Sequence, residues 1–224
     1  MPKALISRLF LSASAVLFFT VASARADFLI SVGSGTIDPG GTLLLEIGID
    51  SDAAPENMSD FKVILEITPL TGTGSSSLQF VDPQSEAVLE DADYVFADTS
   101  EAIADDLTTV LALASHSITI EDISVTPGGD FLNAPVTTGQ LLTTLDLKHL
   151  LGDQSASATE GDTFEVSVVS IDSDFLNAAG DEIPFTAGIG TITVGAVAVP
   201  EPSSVALLML ASCGLILPRR RRRR

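Results

Sequence analysis

Tryptophan is absent from this 224-residue chain, and tyrosine and cysteine occur once each. The single cysteine, Cys213, lies in an apolar stretch near the C-terminus, so no disulfide can form within the rest of the chain. Its core alone must hold it together, and at this size a domain buries roughly 70% of its unfolded-chain surface. The absence of tryptophan, with Tyr94 as the sole tyrosine, argues against a lectin that stacks sugar rings on aromatic platforms, though not against a Ca²⁺-bridged one. Cations are the most telling shortage. Of 11 lysines and arginines, Lys3, Arg8, Arg25 and a C-terminal run of six lie at the ends, leaving Lys62 and Lys148 between residues 27 and 198. Against these two stand 29 carboxylates, a net charge of −27 compared with −19 for the whole chain. A field of that sign repels nucleic acid, anionic lipid and acidic polysaccharide, and it strains the folded body by self-repulsion. Salt or bound cations are expected to relieve that strain.

Catalytic signatures are also missing. His116 and His149 each lie in a predicted strand, 33 residues apart, and neither belongs to an H-x₃-H or HExxH spacing. No G-x-S-x-G elbow occurs. Acidic residues are so abundant that no glycosidase-type carboxylate pair stands out. No catalytic residue is therefore assigned.

What is present begins with the two ends. Lys3 and Arg8 precede an apolar run over residues 9–21, and Ala24 and Ala26 supply the small side chains that a signal peptidase requires, predicting cleavage before Asp27. A retained anchor is the alternative, but 13 residues are short for a membrane span. At the other end, Val199, Pro200, Glu201 and Pro202 terminate the globular body, because two prolines so close together remove backbone donors and fix φ. Residues 203–217 then carry no charge. As a helix they would span roughly 22 Å, short of the ~30 Å hydrocarbon core, which makes a marginal transmembrane segment. Arg219, Arg220, Arg221, Arg222, Arg223 and Arg224 close the chain, and the positive-inside tendency keeps them cytoplasmic with the body outside. Alone they would suit a nucleic-acid patch, but directly after an apolar helix they read as a stop-transfer signal. The resulting division is residues 1–26 signal peptide, 27–198 one domain, and 199–224 membrane-directed tail.

A Pro-Glu-Pro box, a short apolar helix and a terminal arginine cluster, in that order, resemble the PEP-CTERM sorting signal of Gram-negative bacteria. The resemblance implies export through the inner membrane, transient retention there, and processing near Pro200, Glu201 and Pro202 by an exosortase-type membrane protease. Release to the cell surface or an exopolysaccharide matrix would follow. A plain C-terminal anchor is the alternative.

The body has a hydrophobic period of two. Leu43, Leu45, Ile47 and Ile49 share one face, as do Phe61, Val63, Leu65 and Ile67, and Phe164, Val166 and Val168, which marks half-buried strands. Further strands are predicted over residues 28–32, 78–81, 109–114, 117–125, 140–150, 183–186 and 189–194. Between them lie Gly/Pro turns such as Asp38-Pro39-Gly40-Gly41 and Thr126-Pro127-Gly128-Gly129. One short capped helix is expected over residues 100–107, and EDADYVFAD (90–98) is expected to be a strand whose apolar residues reach the core. The fold class is all-β, an antiparallel β-sandwich of jelly-roll type.

GQLLTTLDLKHLLG, TEGDTFEVSVVSIDSDF and GDEIPFTAGIGTITV resemble the closing strands of cohesin-type modules, and GSGTIDPGGTLLLEIGID resembles their opening pair. The stretch 70–115 departs from that pattern, being longer and more acidic. The resemblance implies a cohesin-like sandwich, and the partner it would imply is a dockerin-like protein.

The one metal site suggested by the residues is Ca²⁺ at Asp172, Asp174, Asn177, Asp181 and Glu182, oxygen ligands around a Gly180 turn. They do not fit the EF-hand spacing, and a solvated acidic hairpin is the alternative. DFLNA occurs at 130–134 and again at 174–178, suggesting two similar loops. The expected function is a non-enzymatic cell-surface or matrix protein; the alternatives are a module binding a specific protein and a secreted hydrolase.

Overall fold

The computed structural model describes residues 27–52, 56–72 and 76–196. The predicted signal peptide with Ala24 and Ala26, and the tail from Val199 to its arginines, lie outside them. Among the described residues the chain forms fourteen strands and one α-helix.

One sheet is built from β1 (Phe28–Val32), β3 (Thr42–Ser51), β6 (Ser77–Phe80), β10 (Gln140–Leu150) and β13 (Phe185–Thr186), in the order β13-β1-β3-β10-β6. The other runs β2-β14-β11-β5-β8-β7, from β2 (Gly35–Ile37), β5 (Asp60–Thr71), β7 (Val110–Ala114), β8 (Ser117–Ile123), β11 (Thr163–Val168) and β14 (Ile189–Val194). A further strand, β12 (Asp174–Leu176), pairs with the start of β5, while β4 (Glu56–Met58) and β9 (Ala134–Val136) form a separate ribbon. The expected β-sandwich is therefore present. Its pairing is antiparallel except at two places, where β1 runs parallel to β13 and β2 parallel to β14.

Alternation decides which sheet face is inside. In β5, Phe61, Val63, Leu65 and Ile67 are buried, while Lys62, Ile64 and Glu66 face outward. β3 buries Leu45, Ile47 and Ile49 and leaves Leu44 55% exposed. In β10 the period slips at a bulge between Leu141 and Thr143, so that Leu142 and Thr143 are both buried in succession. An extra residue on one strand turns two neighbours the same way. Phe28, Phe175 and Phe185 pack edge-to-face across the core, with ring centroids 5.7 and 4.9 Å apart. Such pairs contribute about 0.5–1.5 kcal/mol each beyond the area they bury.

The two sheets come into close backbone contact where β14 passes the end of β1. A Cβ on Gly190 would stand 2.0 Å from the Gly33 carbonyl oxygen, and one on Gly188 would stand 2.1 Å from that of Ile30. Only glycine admits backbone so near backbone.

Residues 90–98 are not a strand. They form successive turns, joined to β10 by a bridge from Tyr94 to Leu141, yet they do drive Tyr94, Val95 and Phe96 fully into the core. Turn hydrogen bonds at Tyr94, Ala97 and Thr99 take the place of a ladder. The expected helix exists as α1 (Glu101–Asp105), shorter than the predicted span. Its N-cap Ser100 accepts from the Ile103 amide, and Asp106, in the left-handed region at φ 56°, ends it.

Candidate functional site

The sequence-predicted calcium ligands do not converge. Asp172 lies in the exposed turn before β12, and Asp174 lies in β12 opposite Lys62. Asn177, Asp181 and Glu182 belong to the tight hairpin that follows. There the Asn177 Oδ1 atom accepts from the Ala179 and Asp181 amides at 2.9 and 3.0 Å. Its amide nitrogen donates to Asp181 Oδ2 at 3.4 Å, and Leu176 bridges Glu182. The asparagine thus spends its oxygen on the turn. Among the described residues no three His, Cys, Asp or Glu side chains are grouped to hold a metal ion.

The repeated DFLNA segments do touch, the Ala178 amide donating to Asn133 Oδ1 at 2.8 Å. Their phenylalanines differ, Phe175 being buried and Phe131 61% exposed. Phe131 borders a hollow of about 230 Å³ with Ser59, Asp60 and the 176–180 turn. Within it, burial and then the carboxylates of Glu121, Asp174, Asp122 and Glu101 push the Asp60 carboxyl up to about 6.

Neither histidine is placed as a base. His149 lies in β10 as predicted, fully buried, with Nδ1 accepting from the Gly40 amide at 3.0 Å and Nε2 unpartnered among the described residues. Burial holds it below the usual imidazole range, partly opposed by Asp162. His116 is not in a strand but in the exposed β7–β8 turn, its Nδ1 2.8 Å from Ser115 Oγ. That pair is open to bulk water.

A broad concave surface lies where the sequence departs from the rest of the pattern, in the excursion from β6 to β7. This segment enters through a cis Asp82–Pro83 bond, makes a 3-10 turn at Ala87–Glu90, and crosses one end of the sandwich to α1. Asp82, Glu86, Glu90, Asp91, Asp93, Asp98, Glu101, Asp105 and Asp106 fall in it, with no lysine or arginine. Two hydrogen-bond systems fix its shape. In the first, the buried Asp122 of β8 accepts at Oδ2 from Tyr94 Oη and Ser100 Oγ, and at Oδ1 from the Ile123 and Ala102 amides. A buried carboxylate needs such donors when it has no cation. Burial, and then Asp122 beside it, drive the Tyr94 hydroxyl far above the usual phenol range, so it remains a donor. In the second, Glu86 Oε1 accepts from the Thr109 amide at 2.7 Å and from the hydroxyls of Thr108 and Thr109, tying the two ends of the excursion together.

Between these braces lies an open groove of about 570 Å³, lined by Leu89, Ala97, Ala102, Ile103 and Leu107 and edged by Glu86, Glu90, Asp91, Asp98 and Asp106. A smaller hollow of about 130 Å³ on the other side of α1 shares Ala102 and Leu107 and adds Leu111 and Glu121. Ile103, Leu107 and Leu111 are 48%, 54% and 55% exposed. Apolar walls under an acidic edge offer a ligand both apolar and charged contacts. The sequence marks the stretch as long and acidic with one short helix at 100–107; the signal for the groove is the apolar residues Leu89, Ile103 and Leu107 spaced among its acids.

No family model matches the sequence, and a search of curated proteins found no match. Solved structures that the body resembles are cohesin modules. The third ScaB cohesin of R. flavefaciens, in complex with a group 1 dockerin, is 19% identical, with 78% of this chain and 99% of that chain covered and a TM-score of 0.49. CaCohA2 from Clostridium acetobutylicum is 14% identical over 76% and 92%, with a TM-score of 0.46. A type III cohesin from the ScaE cell-surface anchoring scaffoldin of Ruminococcus flavefaciens is 16% identical over 80% and 93%, with a TM-score of 0.44.

Proposed function

We propose that this chain is an exported, non-enzymatic surface or matrix protein whose β-sandwich is an interaction module and whose tail is a sorting signal. The observation that carries the reading is the order of features at the C-terminus: Pro200-Glu201-Pro202, an uncharged stretch too short for a comfortable span, and six terminal arginines. An exosortase-type protease cutting near the Pro-Glu-Pro box would release a body bearing two lysines against 29 carboxylates to the cell surface or to exopolysaccharide. The braced, acid-edged groove beside α1 supports binding rather than catalysis. Mass spectrometry of the surface fraction tests the sorting step. A mature C-terminus near Pro200–Pro202 is expected, and an intact Arg224 on the surface form would replace the sorting signal with a permanent anchor.

A second reading is favoured by the Asp181-Glu182-Ile183-Pro184 turn and the Gly-x-Ile-Thr-Val strand that follows it. On it, the sandwich captures one specific protein, a dockerin-like one. Affinity capture from the producing cell's secreted fraction separates the two: retention by polysaccharide supports the matrix role, and one stoichiometric protein supports the module. Turnover of glycosidic or ester substrates would remove both in favour of a hydrolase.

A further inference from the structure

The groove beside α1 combines two chemistries on one rigid surface. Ile103 and Leu107 are about half exposed and, with Leu89 and Ala97, line an opening of about 570 Å³. Exposed apolar side chains gathered into a concavity are an unfilled contact. Around them Glu90, Asp91, Asp98 and Asp106 are all exposed, and among the described residues that line the groove none is lysine or arginine. Carboxylates beside a low-dielectric wall act on a neighbouring charge more strongly than they would in open water.

We propose that this groove is the docking site for a cationic amphipathic segment of a partner protein, its apolar side chains seated between Ile103, Leu107 and Leu89 and its lysines or arginines on the acidic edge. Charge complementarity selects this occupant. A second copy of the body brings the same charge of −27 and only Lys62 and Lys148, so it has no complementary face to offer. The chain's own Arg219–Arg224 run has the right sign, but the positive-inside tendency leaves it on the opposite side of the membrane from the body. The surface is also preorganised, because the Tyr94–Asp122–Ser100 hydrogen bonds and the Glu86 clasp on Thr108 and Thr109 hold its walls before anything binds. Little ordering entropy is then lost on docking. The inference rests on reading the sandwich as an interaction module, and it adds the chemistry of the partner and the place where it sits.

Fluorescence anisotropy of a labelled lysine–leucine amphipathic peptide, titrated with the purified full chain in detergent, tests this. Saturable binding is expected, weakening about tenfold or more as NaCl approaches 1 M, where the Debye length shrinks to ~3 Å. Asp98→Asn with Asp106→Asn should weaken it about tenfold. Both positions have positive φ, 64° and 56°, which asparagine tolerates, so the groove keeps its shape. Ile103→Ser should weaken it comparably. A lysine–serine peptide of equal charge should bind far less well, and Asp38→Asn with Asp153→Asn, outside the groove, should change nothing. Equal affinity for the lysine–serine peptide, or equal losses from the Asp38/Asp153 pair, would reduce the effect to general charge and overturn the site. Tighter peptide binding once the six terminal arginines are replaced by serine would make the chain's own tail the occupant and overturn an external partner. The mature C-terminus is measured independently, so failure here leaves the sorting reading standing.

Discussion

Asp122 is a carboxylate sealed inside the protein with no lysine or arginine bonded to it among the described residues, kept there by hydroxyl and amide donors. Removing one donor forfeits a hydrogen bond to a charged group, which costs about 1.5–3 kcal/mol. Tyr94→Phe should therefore lower the unfolding free energy by that amount, read from urea denaturation, while barely changing the buried apolar area. Asp60 poses the opposite case. Its carboxyl is raised to about 6 from 3.8, so between those pH values the native state holds a proton that the unfolded chain has already lost. Stability consequently falls as pH rises from about 4 to about 6 and is flat above. Asp60→Asn should raise the melting temperature at pH 7.5, the gain being about 1 kcal/mol after allowing for solvent screening at a partly exposed site, and should have no effect at pH 3.5. Thermal melts at the two pH values check it. None of this was legible locally. Tyr94 could be seen to sit among acids, but its partner Asp122 is 28 positions away and arrives through the packing of α1 on β8.

At the scale of elements, Gly190 carries the sharpest constraint. Because its missing Cβ position lies 2.0 Å from a carbonyl oxygen of the facing backbone, no rotamer change can accommodate a methyl group. Gly190→Ala should cost more than about 3 kcal/mol, seen as a large drop in the denaturation midpoint, placing it among the severe single substitutions. The long strands were readable because alternation over five or more residues has only one explanation, as in β3, β5, β10 and β11. β2, β4, β9 and β12 were not, since three residues are too few to show a period. The DFLNA pair shows the limit most plainly. In β12 the motif is laddered to β5 and its phenylalanine turns inward. At 130–134 Phe131 has only an isolated bridge to Val125, the ladder beginning at Ala134 with β4, and the ring stays outside. Pairing partners, which lie far away in sequence, decided the fate of identical residues. Among the described residues the expected calcium ligands do not include three grouped acidic side chains, and Asn177 serves its own turn.

For the whole molecule, the excess of carboxylates sets the solution behaviour. Like charges spread over one small sandwich oppose compaction, and ions weaken that opposition. The melting temperature should rise by a few degrees from low salt to about 1 M NaCl, and further per unit ionic strength with CaCl₂, measured by calorimetry. A flat response would mean that the acids are too well separated to matter.

The two parallel pairings give the molecule a mechanical character. β1 and β2 open the sandwich, β13 and β14 close it, and each opening strand lies alongside a closing one in the same direction. Tension applied between the two ends of the body would drag these neighbours past each other lengthwise. Their hydrogen bonds would then share the load together instead of opening one after another. A fold closed in this way should resist stretching better than its thermal stability alone suggests, which force spectroscopy on the body pulled by its two ends would measure.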